Sequence, residues 1–131
     1  MAPLLAALAL AASGEPSWDF LGTTAAGARL FVDRASIAAE GPLLRVTIRL
    51  GAPRSIARDI VKVIEREEID CSANRWRLIG FQAFDATDRI VDQRVMDSAP
   101  MRYLRIEEGS MTATVRDAIC TDRATGSSAT F

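Results

Sequence analysis

Residues 43–50 read LLRVTIRL, which places Leu44, Val46, Ile48 and Leu50 on one side of an extended backbone and Arg45, Thr47 and Arg49 on the other. Side chains in a strand alternate between faces, so this period of two describes a strand with one buried and one solvated face. Such strands belong to antiparallel sheets; strands of parallel sheets are covered on both sides and read as continuous apolar runs. The rest of the chain must therefore supply antiparallel neighbours and an apolar cover for Leu44, Val46, Ile48 and Leu50.

Neighbours are readily found. Residues 18–23 and 29–33 flank the turn residues Ala25, Ala26 and Gly27 and form an expected hairpin. Glu40, Gly41 and Pro42 punctuate the chain before the alternating strand, and Gly51, Ala52 and Pro53 end it. Residues 59–71 read two ways. Glu65, Arg66, Glu67 and Glu68 suit a helix, but Ile60, Val61, Val63 and Ile64 are β-branched and lose χ1 freedom there, so a strand is expected. Residues 75–85 carry apolar groups on both faces, as a central or helix-covered strand does, and residues 90–96 follow after a polar turn. The cover is expected at residues 111–121, where Met111, Val115, Ala118 and Ile119 fall on one helical stripe and Ser110 can cap the start. The expected fold is α+β: a single antiparallel β-sheet of about six strands with a C-terminal α-helix packed on one face.

Residues 1–13 are apolar from Pro3 to Ala12 and are followed by Gly14, Glu15 and Pro16. The run is too short to span a bilayer and ends in small residues, the pattern of a secretory signal peptide, although no Lys or Arg precedes it. A buried N-terminal helix would need cover on every side, which a domain of this size does not supply. The expected organisation is a signal peptide over 1–13, one domain over 14–122 and a disordered tail over 123–131, since the last residues are small and polar. Export, to the periplasm or the cell surface and without a lipid anchor, follows from that reading.

Two cysteines occur, Cys71 and Cys120, and an even count in an exported chain reads first as a disulfide. Two buried thiols or a redox pair are the alternatives, though a catalytic dithiol normally has C-x-x-C spacing. A bridge would close a loop of about 50 residues and stabilise the fold by roughly 4 kcal/mol in the chain-entropy model. It would also tether the helix to the sheet.

In their order along the chain, these features resemble the surface-adhesin protein E family. The resemblance rests on Trp18, the Phe31-Val32-Asp33 run followed by Ser36 and Ile37, the Glu68-Ile69-Asp70-Cys71 segment, the Arg75-Trp76-Arg77-Leu78 strand, and the closing Val115–Cys120 segment. It implies an antiparallel sheet with a C-terminal helix tied on by a Cys71–Cys120 bridge, export, and binding of extracellular proteins.

Composition removes several classes of function. With 16 basic and 17 acidic residues the net charge is −1, which gives no long-range attraction to nucleic acid. Histidine is absent, and neither a Gly-rich phosphate loop nor a serine nucleophile motif occurs, so no enzyme and no cofactor is expected. Asp85, Asp88 and Asp92 lack the order of a calcium loop and read as a solvated turn. Glu65, Glu67, Glu68 and Asp70 read as cross-strand partners of Arg75 and Arg77 rather than as an acid–base pair.

Binding is what remains. Arg45 and Arg49 on one strand and Arg75 and Arg77 on another align with Lys62 and Arg66 into a basic stripe, a dock for an acidic protein segment or a glycan. In the plainer alternative the nearby carboxylates neutralise these arginines. Trp76 is the candidate aromatic anchor, with a place in the core as its alternative. The expected function is a non-catalytic envelope protein that binds a protein or glycan ligand, without stable membrane insertion; the alternative is a periplasmic structural or housekeeping protein with no host ligand.

Overall fold

The structure, a computed structural model, describes residues 15–51, 59–96 and 101–128, with the helix side chains described as far as Cys120. The expected signal peptide and residues 129–131 lie outside the described residues. Eight strands form one antiparallel sheet: β1 (Trp18–Thr23), β2 (Arg29–Asp33), β3 (Ala38–Glu40), β4 (Leu43–Gly51), β5 (Lys62–Asp70), β6 (Arg75–Phe84), β7 (Ile90–Val95) and β8 (Leu104–Arg105). The main path runs β1-β2-β4-β5-β6-β7, with β3 paired to β4 and β8 to β6. These six path strands are the six expected. The count is eight rather than about six because β3 and β8 span only three and two residues, too few to display an alternation.

The register of β4 on β5 explains why the charged residues 62–70 are extended. Pairing Leu44 with Ile69, Ile48 with Glu65 and Leu50 with Val63 sets one face of β5 against the apolar face of β4. The opposite face pairs Arg45 with Glu68 and Thr47 with Arg66, so alternate charges meet partners instead of the core. Asn74, with a positive φ of 55°, closes the β5–β6 hairpin in the left-handed region that asparagine tolerates. The Asp70 carboxylate accepts from the Ala73 N–H and the Ser72 hydroxyl, each at 3.0 Å, and so fixes that turn.

One core lies on the inner face of the sheet. Leu30, Val32, Leu44, Val46, Ile48, Leu50, Val63, Ile69 and Ala83 supply it from the strands, and Ile106 joins from the segment after β8. The cover is α1 (Met111–Ser128), which adds Ala113, Val115 and Ile119, with Met111 and Ala118 packed partly against them. The stripe read from the sequence is thus the buried one. Ser110 Oγ accepts from the Ala113 N–H at 3.1 Å and caps the helix start. The backbone of α1 continues past residue 121, where the apolar stripe ends, to Ser128. Cys71 and Cys120 are joined in a disulfide that ties the last buried turn of the helix to the end of β5.

Candidate functional site

The outer face of the sheet carries the arginines that sequence reading singled out, and Arg45, Arg49, Arg75 and Arg77 fall into two clusters. In the first, the row Arg45–Glu68–Arg77 crosses β4, β5 and β6. Arg77 Nε donates to Glu68 Oε1 at 2.7 Å and Arg45 Nε donates to Oε2 at 2.9 Å, while the Tyr103 hydroxyl donates to Oε1 at 2.9 Å. The next row pairs Asp70 with Arg75, whose Nε donates at 3.2 Å. The Arg75 and Arg77 guanidinium groups each lie 4.5 Å from the centre of the Tyr103 ring, within cation–π range. Burial pushes the Glu68 carboxyl up, but hydrogen bonds from Arg77, Tyr103 and Arg45 outweigh it and hold the carboxyl below its ordinary range. The Ala73 N–H lowers Asp70 most, burial opposes it, and Ser72 and Arg75 lower it further. Tyr103 moves the other way: burial and the adjacent Glu68 charge raise its phenol.

The second cluster sits on β1, β2 and β4. Register places Phe20 opposite Phe31 and Phe31 opposite Arg49, so ring and guanidinium share a face. The Arg49 guanidinium lies 4.3 Å from the Phe31 ring centre and 4.9 Å from that of Trp18. Arg29 stands 5.6 Å from both Phe20 and Phe31, whose ring centres are 5.4 Å apart. Phe20 is half exposed. Below β1, the Asp33 carboxylate accepts from the Ser17 and Ala35 N–H groups and caps the 3-10 turn Arg34–Ser36, which sets the entry of β1 against β2.

Between the clusters lies a hollow of about 310 Å3 lined by Ser36, Ala38, Arg45, Val46, Thr47, Arg66, Glu67 and Ile79. Lys62 stands apart, with its Nζ on Asp88 at 2.7 Å and 4.5 Å from the centre of the Phe84 ring. The structure therefore brings Arg45, Arg75 and Arg77 together around carboxylates, puts Arg49 with the aromatic cluster and Arg66 between them, and leaves Lys62 at the far end. Trp76 pairs with Ile69 and packs partly against the core, on the face opposite the arginines. Tyr103, Trp18, Phe20, Phe31 and Arg29 went unread as contributors in the sequence. Tyr103 lies in a stretch without periodicity, so no local signal marked it. The one-face spacing of Trp18 and Phe20 was visible, but their pairing with Arg49 depends on the β2–β4 register.

In the acidic turn, Asp85 is bonded within the turn and Asp88 to Lys62. The Asp85 carboxylate accepts from the Arg89 N–H and from the Thr87 N–H and hydroxyl, which draw it down to about 2. Among the described residues no three acidic or cysteine side chains group to hold a metal ion, and no helix is long and apolar enough to cross a membrane.

A different carboxyl meets no hydrogen-bond donor. Glu67, on the inner side of β5 opposite Val46 and Leu78, is completely buried, and neither carboxyl oxygen accepts a hydrogen bond. Burial pushes this carboxyl well above the ordinary range, and sharing a proton with the Glu65 carboxyl on the same face, together with the charge of that group, adds to the shift.

The sheet with its disulfide-tethered closing helix has a counterpart among known proteins. The model of the family described as surface-adhesin protein E matches residues 18–121. The chain belongs to the surface-adhesin protein E family. Among solved structures it is similar to crystal form II of Haemophilus influenzae protein E, with a TM-score of 0.56 and 9% identity over 82% of this chain and 94% of that one. At that identity the likeness is one of fold. No curated protein matches the chain. The family match spans all eight strands, so the outer-face clusters lie within the matched residues.

Proposed function

We propose that this protein is a non-catalytic, exported binding module of the surface-adhesin type, and that it engages an acidic protein segment or a glycan through the outer sheet face. The observation that carries the reading is the pairing of flat aromatic rings with arginines on that face: Tyr103 under Arg75 and Arg77, and Trp18 and Phe31 under Arg49. Guanidinium groups held in plane by stacking lose little freedom when they engage a carboxylate or sulfate in a fork, and exposed rings stack on sugar faces. In the first cluster Glu68 holds both Arg77 and Arg45, and Arg45 also lies 3.8 Å from Glu40, so the guanidinium groups are fixed in place before a ligand arrives. Arg45, Arg49, Arg75 and Arg77 are the proposed binding residues, with Trp18 in the anchoring role that the sequence assigned to Trp76. The function of the family, as its description names it, supports the same reading.

The test is a binding screen of the mature protein against purified extracellular matrix proteins and a glycan array, repeated with Arg49→Ala and with Arg75→Ala/Arg77→Ala. Binding that falls at least tenfold in either variant supports the outer face, and unchanged binding in both removes it. Surface labelling of intact cells tests the location, since labelling only after lysis would favour a periplasmic housekeeping role.

A further inference from the structure

Register puts Thr47, Arg66, Gly80 and Val95 in one row across β4, β5, β6 and β7. On the outer face this row stands between Arg45, Glu68 and Arg77 on one side and Arg49, Ile64 and Gln82 on the other. Thr47 is short and Gly80 has no side chain, so the row is a trough with the exposed Arg66 rising from its floor. A Cβ at position 80 would come within 2.7 Å of the Arg94 carbonyl, so the seating of β7 keeps that position open. Two hollows, of about 310 and 150 Å3, meet at Arg66 and Ile79 and follow the row from Ser36 to Val95. Neighbouring strands lie about 4.8 Å apart, so the row from Thr47 to Val95 is about 14 Å long.

Charge along the trough is one-sided. Glu40, Glu68 and Asp70, the carboxylates on this face, are each ion-paired with Arg45, Arg75 or Arg77. Arg29, Arg49 and Arg66 form no ion pair among the described residues; the first two lie against aromatic rings instead. Positive charge is therefore concentrated on this face of a chain whose net charge is −1.

We infer that the trough is the track of a sulfated polysaccharide, with Arg66 as the central residue that selects a densely anionic chain; this rests on the outer-face binding proposed above. The direction of the trough decides against an acidic peptide. It crosses the strands, and the backbone groups of β4, β5 and β6 are committed to their own ladders, so a peptide lying there finds no partners for its N–H and C=O groups. A polysaccharide has no such ladder to complete: its hydroxyls stay in water while its anionic groups reach the guanidinium forks. Each wall stands about 7 Å from the Arg66 row, two residues along a strand, so a chain seated on Arg66 meets Arg45 and Arg77 on one edge and Arg49 on the other. Anions along both edges and the middle of one chain are what sulfation adds to a polysaccharide.

Titration of the mature protein with a sulfated heparin oligosaccharide, its desulfated form and a polyglutamate peptide tests this. The sulfated chain should bind at least tenfold more tightly than either of the others, and less tightly as salt rises. Arg66→Ala should weaken that binding at least tenfold without moving the melting midpoint, because the side chain is exposed and holds no acid of the fold. Thr47→Tyr should weaken it as much by filling the trough at unchanged charge, and its melting midpoint separates a blocked trough from a lost fold. Unchanged heparin binding in both variants would overturn the trough; if Arg49→Ala or Arg75→Ala/Arg77→Ala alone abolished binding, the outer-face reading would stand without it. Polyglutamate or the desulfated chain binding as tightly as the sulfated one, or no binding of the sulfated chain, would overturn the choice of ligand, and the matrix-protein screen would then decide the outer-face reading by itself.

Discussion

Glu67 and Glu68 are adjacent in the chain and equally hidden, yet they occupy opposite faces of β5 and opposite electrostatic surroundings. On the outer face Glu68 receives hydrogen bonds from Arg45, Arg77 and Tyr103, and its carboxyl is held low. On the inner face Glu67 receives none, and its carboxyl is driven high. The difference shows that burial alone does not decide whether a carboxyl stabilises a fold; the donors within reach decide it. The outer face is a polar surface organised around its acids, whereas the inner face is an apolar core that buries Glu67 beside Glu65 at a cost.

The largest test of that contrast is to release the inner face. Cys120→Ala removes the tether that holds α1 over the core, and denaturant unfolding should show a loss of about 4 kcal/mol, matched in the wild type by adding reductant. Equal midpoints with and without reductant would show that the helix closes the core unaided.

Next, Glu68→Leu leaves Arg45 and Arg77 facing each other without their shared acceptor and should cost about 2–3 kcal/mol. Glu67→Leu should act in the opposite direction, raising stability at pH 7 by about 1–2 kcal/mol, because it removes a buried carboxyl that meets no donor and lies beside a second carboxyl, Glu65. If both substitutions shift the midpoint in the same direction, the contrast between the faces is broken.

The pH dependence sharpens the same comparison. The folded-state value of Glu67 is raised, so below the unfolded carboxylate value both states hold the proton and there is no penalty. As pH rises past it the unfolded chain ionises first, and stability falls until the folded carboxyl ionises too. Glu68 and Asp70 are lowered, so their contribution is complete above the unfolded value and is lost as pH falls through their folded values. Melting curves across pH should therefore lose, in Glu67→Gln, the decline that sets in as pH rises past the unfolded carboxylate value, and soften the decline at low pH in Glu68→Gln. The smallest effect is expected for Arg75→Ala. Arg75 is half exposed, so its pair with Asp70 should contribute less than about 1 kcal/mol, and any change in this variant should appear in binding rather than in melting.

The six path strands were legible because each is long enough to alternate, and α1 because Met111, Val115, Ala118 and Ile119 recur at helical spacing. The bridge was legible from a count of two cysteines. The site was only partly so. Arg45, Arg75 and Arg77 were recognised as one face, but Glu68 lies 23 residues from Arg45 and Tyr103 lies 35 from Glu68, distances over which no local pattern extends. Trp76 was ambiguous because β6 is apolar on both sides, and pairing with Ile69 turned it toward the core.

Local alternation and helical spacing depend on neighbouring residues alone, so the amino-acid sequence by itself determined that strands would form, which side of β4 would be apolar, and where a helix could cover it. Register and strand order are set by contacts between distant segments, so only the tertiary structure decided that Glu68 would have three donors and Glu67 none, that Arg49 would lie on Trp18 and Phe31, and that β7 would stand at an open edge. The physical reason is that the electrostatic fate of a side chain depends on which groups lie within a few ångströms, and in a sheet most of those groups come from other strands.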